Sequence, residues 1–418
     1  MQELKITGGR RLSGELTISG AKNAVLPILA ASLINGGVTV IENAPRLTDV
    51  ESSLEILRTL GCEARWSQGN IYIDSQNATR CRIPSSLTGK MRSSVIFLGA
   101  ILARFRSAVI SAPGGCELGA RPVDIHLRAM RALGASVYEL AGDIYASCEE
   151  PQGGFITLPF PSVGATENAM ILASSARGVT VIKNAAREPE IRDLADYLRA
   201  LGVGVYGAGT ANITVSGRDS FNKYVSHRVI PDRIEAATYL ACVCAAGGSA
   251  TLKCVRPDDM RSVLEVFRAM GAELRASGDE LSIAVNGSLR SPGGVVTAPF
   301  PGFPTDAQPP VCAALLFCGG VTEVTETIFE NRFSYAPELR KMGGDIKISG
   351  TRASIGGGSA LHGECVSARD LRGGAALMVA AVGAGGESRI SGLEHIKRGY
   401  ADPEGALKAL GAEVLLIQ

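Results

Sequence analysis

The chain has 418 residues, of which 46% are hydrophobic and 20% charged, and its 42 basic against 41 acidic residues leave a net charge of +1. This length allows two or three domains with large cores, and the apolar fraction excludes an intrinsically disordered chain. The near-neutral charge excludes a general electrostatic attraction to nucleic acid or acidic membranes, so an anionic ligand must be held by locally placed charges.

Glycine is frequent, at 50 of 418 residues, whereas aromatic residues make up 5%. The best apolar run, 375–384, is about half the length of a membrane span, so none is expected. The N-terminus lacks the basic and apolar segments of a secretion signal. The ten cysteines are scattered and mostly in apolar surroundings, which favours reduced thiols in a cytoplasmic protein.

An amphipathic helix, followed by Leu-Gly or Met-Gly and an alternating strand, recurs along the chain. The six copies of this helix end at Gly61, Gly134, Gly202, Gly271, Gly343 and Gly411. Successive glycines are 73, 68, 69, 72 and 68 residues apart. Six units of about 70 residues therefore account for the whole chain.

The copies carry local helix signals. In the first, Thr48 and Glu51 match a capping box, and Gly61 stands where a left-handed C-terminal cap is needed. In the third, Pro189 stands near the predicted helix start, where proline is tolerated.

A second helix, rich in small residues, lies upstream in each unit and runs into a strand. The clearest examples are a helix at 26–35 before a strand at 38–41, and a helix at 169–177 before a strand at 179–182. The pattern of each unit thus predicts roughly strand, helix, strand, helix, strand, and leaves further short strands open. A six-unit solenoid is an alternative, but units large enough for a helix-on-sheet layer favour two globular α/β domains of three units each.

A polar residue stands 36 to 42 positions before each helix-ending glycine, at or near the start of the small-residue helix. These residues are Lys22, Arg92, Thr166, Arg233, Asp306 and Arg372. If the units pack around pseudo-symmetry axes, the helix N-termini converge and favour phosphates and carboxylates. The alternative is that each residue only caps or solvates its own helix.

A glycine-rich loop runs from Ser111 to a helix that Pro122 is expected to open. Cys116 is the one cysteine in a polar, flexible segment, and the nearby Arg121 and helix N-terminus would favour its thiolate. A reactive thiol is therefore expected, with a merely tolerated loop cysteine as the alternative. His126, on the following helix, is interpreted as a surface or packing histidine.

Other candidates carry less chemistry. Cys242 and Cys244 lack the spacing of most zinc sites and lie in an apolar predicted helix. The glycine pairs at 8–9, 114–115 and 373–374 match neither a phosphate-binding loop nor a dinucleotide fingerprint. Neither a metal site nor a nucleotide-binding domain of those types is expected.

Several short phrases, including Gly-Ala-Lys-Asn-Ala and Pro-Gly-Gly-Cys, together identify a family. They lie at 20–24, 113–116, 119–124, 162–166, 186–190, 231–235, 303–306, 329–333, 370–372 and 398–400. Through them the sequence resembles the UDP-N-acetylglucosamine enolpyruvyl transferases from end to end.

The resemblance implies the inside-out α/β barrel fold of enolpyruvyl transferases, with two domains of three repeats each. It places residues 22–229, with the Cys116 loop, in one domain, and residues 1–21 plus 230–418 in the other. The N-terminal strand would then belong with the C-terminal half, and the active site would lie in the cleft between the domains.

The implied reaction moves the enolpyruvyl group of phosphoenolpyruvate to the 3'-hydroxyl of UDP-N-acetylglucosamine and releases phosphate, as the first committed step of peptidoglycan synthesis. By resemblance, Cys116 donates the proton to C3, can become covalently attached to phosphoenolpyruvate and is the expected target of fosfomycin. Asp306 would handle the hydroxyl proton.

The resemblance also implies the binding residues. Phosphoenolpyruvate would contact Lys22, Asn23, Arg121, Arg372 and Arg398, with Lys22 and Arg398 also counted as catalytic. UDP-N-acetylglucosamine would contact Asn23, Arg92, Arg121, Pro122, Val123, Asp124, Ile125, Ser162, Val163, Gly164, Thr305, Asp306 and Ile328. Arg233 and Glu330 are further candidates. No metal or organic cofactor is expected, because Lys and Arg supply the positive charge.

One departure and two alternatives qualify the resemblance. Pro309 and Pro310 stand where the family continues a helix without paired prolines, which could shift where that helix starts and where Asp306 points. The first alternative, 5-enolpyruvylshikimate-3-phosphate synthase, has a serine-rich, arginine-containing motif in place of Gly-Ala-Lys-Asn and no matching cysteine loop. The second is an inactive paralogue that binds sugar nucleotide, against which the retained catalytic residues argue.

Overall fold

The structure is a computed structural model that describes residues 2–89, 91–111 and 123–417. The predicted reactive loop, with Cys116, Arg121 and Pro122, lies outside the described residues. For Arg92, the backbone is described and the side chain is not.

The strands are short. They are β1 (Glu3–Gly8), β2 (Leu12–Thr17), β3 (Val38–Glu42), β4 (Glu63–Ser67), β5 (Asn70–Asp74), β6 (Arg82–Ile83), β7 (Ser107–Ser111), β8 (Ser136–Leu140), β9 (Asp143–Ser147), β10 (Phe155–Thr157), β11 (Val179–Lys183), β12 (Gly204–Tyr206), β13 (Asn212–Ser216), β14 (Tyr224–Arg228), β15 (Gly248–Lys253), β16 (Glu273–Ser277), β17 (Glu280–Val285), β18 (Gly294–Val296), β19 (Val321–Thr325), β20 (Asp345–Ser349), β21 (Arg352–Gly356), β22 (Cys365–Ser367), β23 (Gly386–Ser391) and β24 (Glu413–Ile417).

The helices alternate with these strands, with 3₁₀ turns at Arg92–Ile96 and Pro257–Met260. They are α1 (Lys22–Ala31), α2 (Thr48–Leu60), α3 (Ser85–Thr88), α4 (Phe97–Phe105), α5 (Asp124–Ala132), α6 (Val163–Ala173), α7 (Pro189–Ala200), α8 (Arg233–Ala246), α9 (Arg261–Met270), α10 (Gln308–Leu315), α11 (Ala336–Lys341), α12 (Leu371–Gly383), α13 (Leu393–Ile396) and α14 (Pro403–Ala409).

In the described residues the strands form six four-stranded sheets of one design, which confirms the predicted six-fold repeat. The orders are β14-β3-β5-β4, β6-β7-β9-β8, β10-β11-β13-β12, β2-β15-β17-β16, β18-β19-β21-β20 and β22-β23-β1-β24. In each, the first pair is parallel and the other two are antiparallel. Each sheet therefore has one strand more than the three predicted for a unit, for which the pattern leaves further short strands open.

The chain divides into two compact units. The described part of one unit comprises residues 2–19 and 231–417, and the described part of the other comprises 20–89, 91–111 and 123–230. The N-terminal strand β1 pairs with β23 and β24, and β14 pairs with β3. Each unit therefore completes a sheet with a strand that is distant in the sequence.

Each unit has its own hydrophobic core, built around three helices that are buried on nearly every face. In one unit these are α1, α4 and α6, and in the other α8, α10 and α12. Their alanine-rich sequences explain this placement, because a helix that is apolar all round is stable only when surrounded by protein. Their N-terminal ends carry the polar residues that the sequence aligned.

The helix signals are confirmed at the C-terminal ends and partly wrong at the N-terminal ends. All six aligned glycines adopt left-handed backbone angles, with φ between 83° and 105°, as a C-cap requires. The capping box at Thr48 is wrong, because α2 begins at Thr48, its N-cap is Leu47, and no side chain caps it. Glu51 instead accepts a hydrogen bond from the Trp66 indole at 2.6 Å.

Two predictions concern prolines at helix starts. Pro122 lies outside the described residues, and the helix that follows it begins at Asp124. Pro309 and Pro310 lie in the first turn of α10, where the missing N–H groups would have no acceptor within the helix.

No helix within the described residues is long and apolar enough to cross a membrane.

Candidate active site

The six aligned polar residues all lie at helix starts, as predicted. Arg233 and Lys22 are the first residues of α8 and α1, and Arg92 begins the 3₁₀ turn that leads into α4. Thr166 lies in the first turn of α6, Arg372 is the second residue of α12, and Asp306 precedes α10 by two positions.

In the unit that contains residues 231–417, Asp306 is bound by two arginines. Its Oδ1 lies 2.6 Å from Arg332 Nη2, and its Oδ2 lies 3.0 Å from Arg372 Nη2. The Arg332 and Arg372 side chains are 2% and 5% exposed, whereas the Asp306 side chain is 28% exposed. A partly open carboxylate is thus oriented by two buried guanidinium groups.

Arg332 is held in turn by the backbone ahead of α10. Its Nε and Nη2 donate to the carbonyl oxygen of Thr305 at 3.0 and 2.8 Å. The Thr305 hydroxyl donates to Glu326, whose other carboxylate oxygen accepts from the backbone N–H of Ile328 at 2.8 Å. The predicted site residues Thr305, Asp306 and Ile328 therefore belong to one hydrogen-bonded network.

Arg372 is oriented by its own helix start and by neighbouring charges. Asp370 caps α12 by accepting from the backbone N–H of Arg372 at 3.0 Å. Burial alone would lower the pKa of Arg372, but Asp306, Tyr400 and Asp232 outweigh it and raise that pKa. The guanidinium charge is therefore secured by its partners.

Glu235 is a buried carboxyl at the start of α8 in the same unit. It accepts hydrogen bonds from the Ser19 backbone N–H at 3.0 Å and the Ser19 hydroxyl at 2.5 Å. Burial, and then the charge of Asp232, raise the pKa of Glu235 to about 7, although Ser19 and Arg372 lower it. Glu235 ends the family phrase at 231–235, but no role was predicted for it.

Arg398 and Tyr400 follow α13 in this unit. Arg398 is half-buried. Tyr400 is fully buried, and its hydroxyl lies 2.7 Å from that of Thr238. Burial, partly offset by Arg372 and Thr238, raises the pKa of Tyr400 to about 12.

In the unit that contains residues 20–111 and 123–230, Lys22 forms an ion pair with Asp49. Lys22 Nζ lies 2.6 Å from Asp49 Oδ2, and the two side chains are 10% and 3% exposed. Lys22 opens α1 and Asp49 lies in the first turn of α2. Asn23 follows Lys22 and is half-buried.

The sequence prediction missed Asp49, although a second alignment would have found it. An acidic residue stands twelve positions before three of the helix-ending glycines, at Asp49 (61 − 49 = 12), Glu190 (202 − 190 = 12) and Asp259 (271 − 259 = 12). All three are buried. Buried acids at aligned helix starts indicate partners, because an isolated buried charge is costly. Arg332, which was also missed, lies in the family phrase at 329–333 but has no equivalent residue in the other repeats.

The predicted nucleotide-binding residues of this unit lie at two helix starts. Asp124 opens α5, with Val123 and Ile125 half-buried beside it, and Val163 opens α6. Ser162 caps α6 by accepting from the backbone N–H of Ala165 at 3.4 Å.

Gly164 lies where these two helix starts come close together. A Cβ at Gly164 would lie 2.9 Å from His126 Cε1, so the start of α6 closely approaches a residue of α5. Thr166 accepts a hydrogen bond from the backbone N–H of Ala186 at 3.0 Å, which joins α6 to the segment ahead of α7.

The sequence did not predict a role for two acidic residues near this segment. Glu167 and Glu190 are buried, at 2% and 3% exposed. Burial raises the pKa of Glu167 well above its usual value, and the charges of Glu190 and Glu188 raise it further.

Most of the other cysteines are buried packing residues. Nine free cysteines lie in the described part of the chain, and most are buried. Burial raises the pKa of Cys242 to about 12 and that of Cys244 well above its usual value. No group of three or more His, Cys, Asp or Glu residues within the described ranges could hold a metal ion.

Comparison with known proteins identifies the family. Residues 6–407 match the family model for EPSP synthase (3-phosphoshikimate 1-carboxyvinyltransferase). The chain is 44% identical to UDP-N-acetylglucosamine 1-carboxyvinyltransferase 2 of Caldanaerobacter subterraneus subsp. tengcongensis, with 100% of both chains covered. It is also 44% identical to UDP-N-acetylglucosamine 1-carboxyvinyltransferase of Dichelobacter nodosus, again over 100% of both. The chain belongs to the UDP-N-acetylglucosamine 1-carboxyvinyltransferase family.

Solved structures confirm the predicted enolpyruvyl transferase fold. The enolpyruvyl transferase NikO from Streptomyces tendae matches with a TM-score of 0.89 and 25% identity, covering 99% of this chain and 98% of NikO. The EPSP synthase of Acinetobacter baumannii matches with a TM-score of 0.73 and 20% identity over 100% of both chains. At that identity, the second match supports the fold alone.

Proposed function

We propose that this chain transfers the enolpyruvyl group of phosphoenolpyruvate to the 3'-hydroxyl of UDP-N-acetylglucosamine and releases phosphate, as the first committed step of peptidoglycan synthesis. The observation that carries the proposal is the partly open Asp306 carboxylate oriented by Arg332 and Arg372. Full-length identity of 44% to relatives named for this reaction supports the choice of substrate.

The reaction proceeds by addition and elimination. The 3'-hydroxyl oxygen bonds to C2 of phosphoenolpyruvate, the hydroxyl loses its proton, and C3 gains a proton, which gives a tetrahedral intermediate. Loss of phosphate from C2 and of a proton from C3 then restores the double bond in the product. The protein must supply an acid for C3, a group for the hydroxyl proton, and cations for the phosphate and carboxylate.

In this proposal Asp306 accepts the proton of the sugar hydroxyl. Arg332 and Arg372 fix the direction of its two carboxylate oxygens, so the group is oriented before the substrate binds. Arg372 also binds the carboxylate region of phosphoenolpyruvate. Thr305 and Ile328, which share the Glu326 network, lie near the sugar nucleotide.

The other unit supplies the acid and a second cation. Cys116 donates the proton to C3, and Lys22 binds the phosphate together with Arg121 and Arg398. The ion pair with Asp49 supports this role, because it holds the ammonium group of Lys22 at the N-terminal end of α1. Such a helix end favours anions.

The sugar nucleotide is proposed to bind two further helix starts and the Lys22 region. Its contacts are Asn23, Arg92, Arg121, Pro122, Val123, Asp124, Ile125, Ser162, Val163 and Gly164. The close approach of Gly164 to α5 supports this grouping, because it brings two of the helix starts together.

The proposed mechanism uses no metal or organic cofactor, because Lys22, Arg121, Arg372 and Arg398 provide the positive charge. We also place the enzyme in the cytoplasm. The free cysteines of the described residues support that location, since thiols remain reduced there.

The proposal is tested by measuring phosphate release from purified full-length chain under reducing conditions. Release is expected only when phosphoenolpyruvate and UDP-N-acetylglucosamine are both present. Asp306→Asn should lower the rate about 10²- to 10⁴-fold, the range of a lost acid–base group. Asp258→Asn is the matched control, because Asp258 has an 83% exposed side chain on the same unit, and it should leave the rate unchanged.

The family model makes 5-enolpyruvylshikimate-3-phosphate synthase activity the second candidate. Phosphate release with shikimate 3-phosphate, but not with UDP-N-acetylglucosamine, would replace the proposed function by this one. No turnover with either acceptor, but intact binding of UDP-N-acetylglucosamine, would indicate an inactive binding paralogue.

A further inference from the structure

The side chain of Asn168, in α6, is fully buried and its hydrogen bonds fix its orientation. The backbone N–H of Gly99 donates to Asn168 Oδ1 at 2.8 Å, and Asn168 Nδ2 donates to the carbonyl oxygen of Val95 at 2.9 Å. A backbone N–H can only donate and a carbonyl can only accept. The oxygen and nitrogen of this amide therefore cannot be exchanged.

This orientation determines where His126 carries its proton. Asn168 Nδ2 lies 2.8 Å from His126 Nδ1. Because Nδ2 is a donor, Nδ1 must accept, and an accepting ring nitrogen carries no proton. The neutral imidazole therefore has its proton on Nε2.

The Nε2 edge of this ring lies against the start of α6. A Cβ added to Gly164 would come within 2.9 Å of His126 Cε1 and 3.3 Å of His126 Nε2. The first N–H groups of α6, at Val163 and Gly164, have no acceptor within the helix. A neutral N–H donor therefore stands beside a helix end that favours anions.

We infer that His126 donates a hydrogen bond from Nε2 to the diphosphate of the sugar nucleotide, and that Asn168 is the positioning residue that fixes this donor. The inference rests on the proposed function, in which Ser162, Val163 and Gly164 contact the nucleotide. A side chain in place of Gly164 would displace the ring. Asn168 also donates a hydrogen bond to Val95, which connects the 3₁₀ turn at Arg92–Ile96 to the Asn168–His126 pair.

Two substitutions distinguish the role of His126 Nε2 from that of His126 Nδ1. In His126→Asn, the amide oxygen can take the place of Nδ1 and accept from Asn168, but no atom reaches the position of Nε2. In His126→Gln, the longer amide brings an N–H to the position of Nε2. Binding of UDP-N-acetylglucosamine and of UDP to the full-length chain is measured by calorimetry. We expect His126→Asn to bind both about ten to a hundred times more weakly, as for a lost hydrogen bond to a charged group. His126→Gln should lose much less.

A double-mutant cycle tests the role of Asn168. Asn168→Leu should also weaken UDP binding, and combining it with His126→Asn should add little, because both act through Nε2. A purely structural role would instead lower the melting temperature without this non-additivity in UDP binding.

The outcomes distinguish the inference from the function on which it rests. If wild-type protein binds UDP-N-acetylglucosamine but His126→Asn binds UDP equally well, the inference is overturned and the proposed function stands. Equal losses in the Asn and Gln variants would also overturn it, since ring packing rather than Nε2 would then matter. A wild-type chain that binds no sugar nucleotide overturns both.

Discussion

The carboxyl of Glu235 should make the stability of its unit depend on pH. Burial, and then Asp232, raise its pKa from 4.5 to about 7, against the opposing effects of Ser19 and Arg372. The folded chain therefore binds this proton more tightly than the unfolded chain does. The resulting stability is fully present below pH 4.5 and is lost as the pH rises through 7.

The magnitude follows from the two pKa values. Their difference corresponds to about 3 kcal/mol in total, of which about 2 kcal/mol is lost between about pH 5.5 and about pH 8.5. Glu235→Gln removes the ionisation while keeping an oxygen that can accept both hydrogen bonds from Ser19. The free energy of unfolding of the variant, relative to wild type, should rise by about 2 kcal/mol over that pH range.

The assay must report on the unit that contains Glu235. The single tryptophan, Trp66, belongs to the other unit, so urea unfolding is followed by hydrogen exchange of α8 peptides. Glu265→Gln, at an exposed position of α9, is the matched control. A difference between Glu235→Gln and wild type that stays constant with pH would refute the reasoning.

Three further predictions concern single side chains. Asp49→Asn removes the charge that pairs with Lys22 and should lower kcat/KM for phosphoenolpyruvate about tenfold or more in the phosphate assay; an unchanged value would contradict this role. Fosfomycin should alkylate Cys116, and peptide mass spectrometry of inactivated protein that finds Cys116 unmodified would refute that assignment. Tyr400→Phe should cost about 1 kcal/mol of stability by thermal unfolding, because it removes a buried hydrogen bond. Tyr239→Phe is its matched control, because the Tyr239 hydroxyl has no hydrogen-bond partner among the described residues; equal losses would contradict the comparison.

The repeat and the helix ends could be predicted because they depend on local sequence. A glycine at the end of an amphipathic helix signals a left-handed cap wherever it occurs, and six of them at regular spacing revealed the units. Prediction failed where the residues of a local sequence motif have another position or another hydrogen-bond partner in the fold. Thr48 and Glu51 match a capping box, yet α2 begins one residue too early for Thr48 to cap it, and Glu51 bonds to Trp66.

Strand exchange and side-chain pairing could not be predicted in this way. The pairing of β14 with β3 joins residues that lie far apart in the chain, and no local pattern encodes it. The same holds for the ion pair between Arg332 and Asp306. Alignment of the repeats located Asp306, because it occupies an equivalent helix start, but it could not locate Arg332, which follows β19 outside the repeated pattern.

The ion pairs also explain how a chain of net charge +1 can maintain buried cations at a site for anions. Lys22 and Arg372 are nearly buried, and an unpaired cation there would be costly. Asp49 supplies the compensating charge for Lys22, and Asp306 supplies it for Arg372, each within the unit of its partner. In the proposed reaction, Asp306 must therefore serve both as the partner of Arg372 and as the acceptor of the hydroxyl proton. Protonation of Asp306 would weaken its hold on Arg372, which would leave that guanidinium group free to bind the substrate carboxylate more strongly as the intermediate forms.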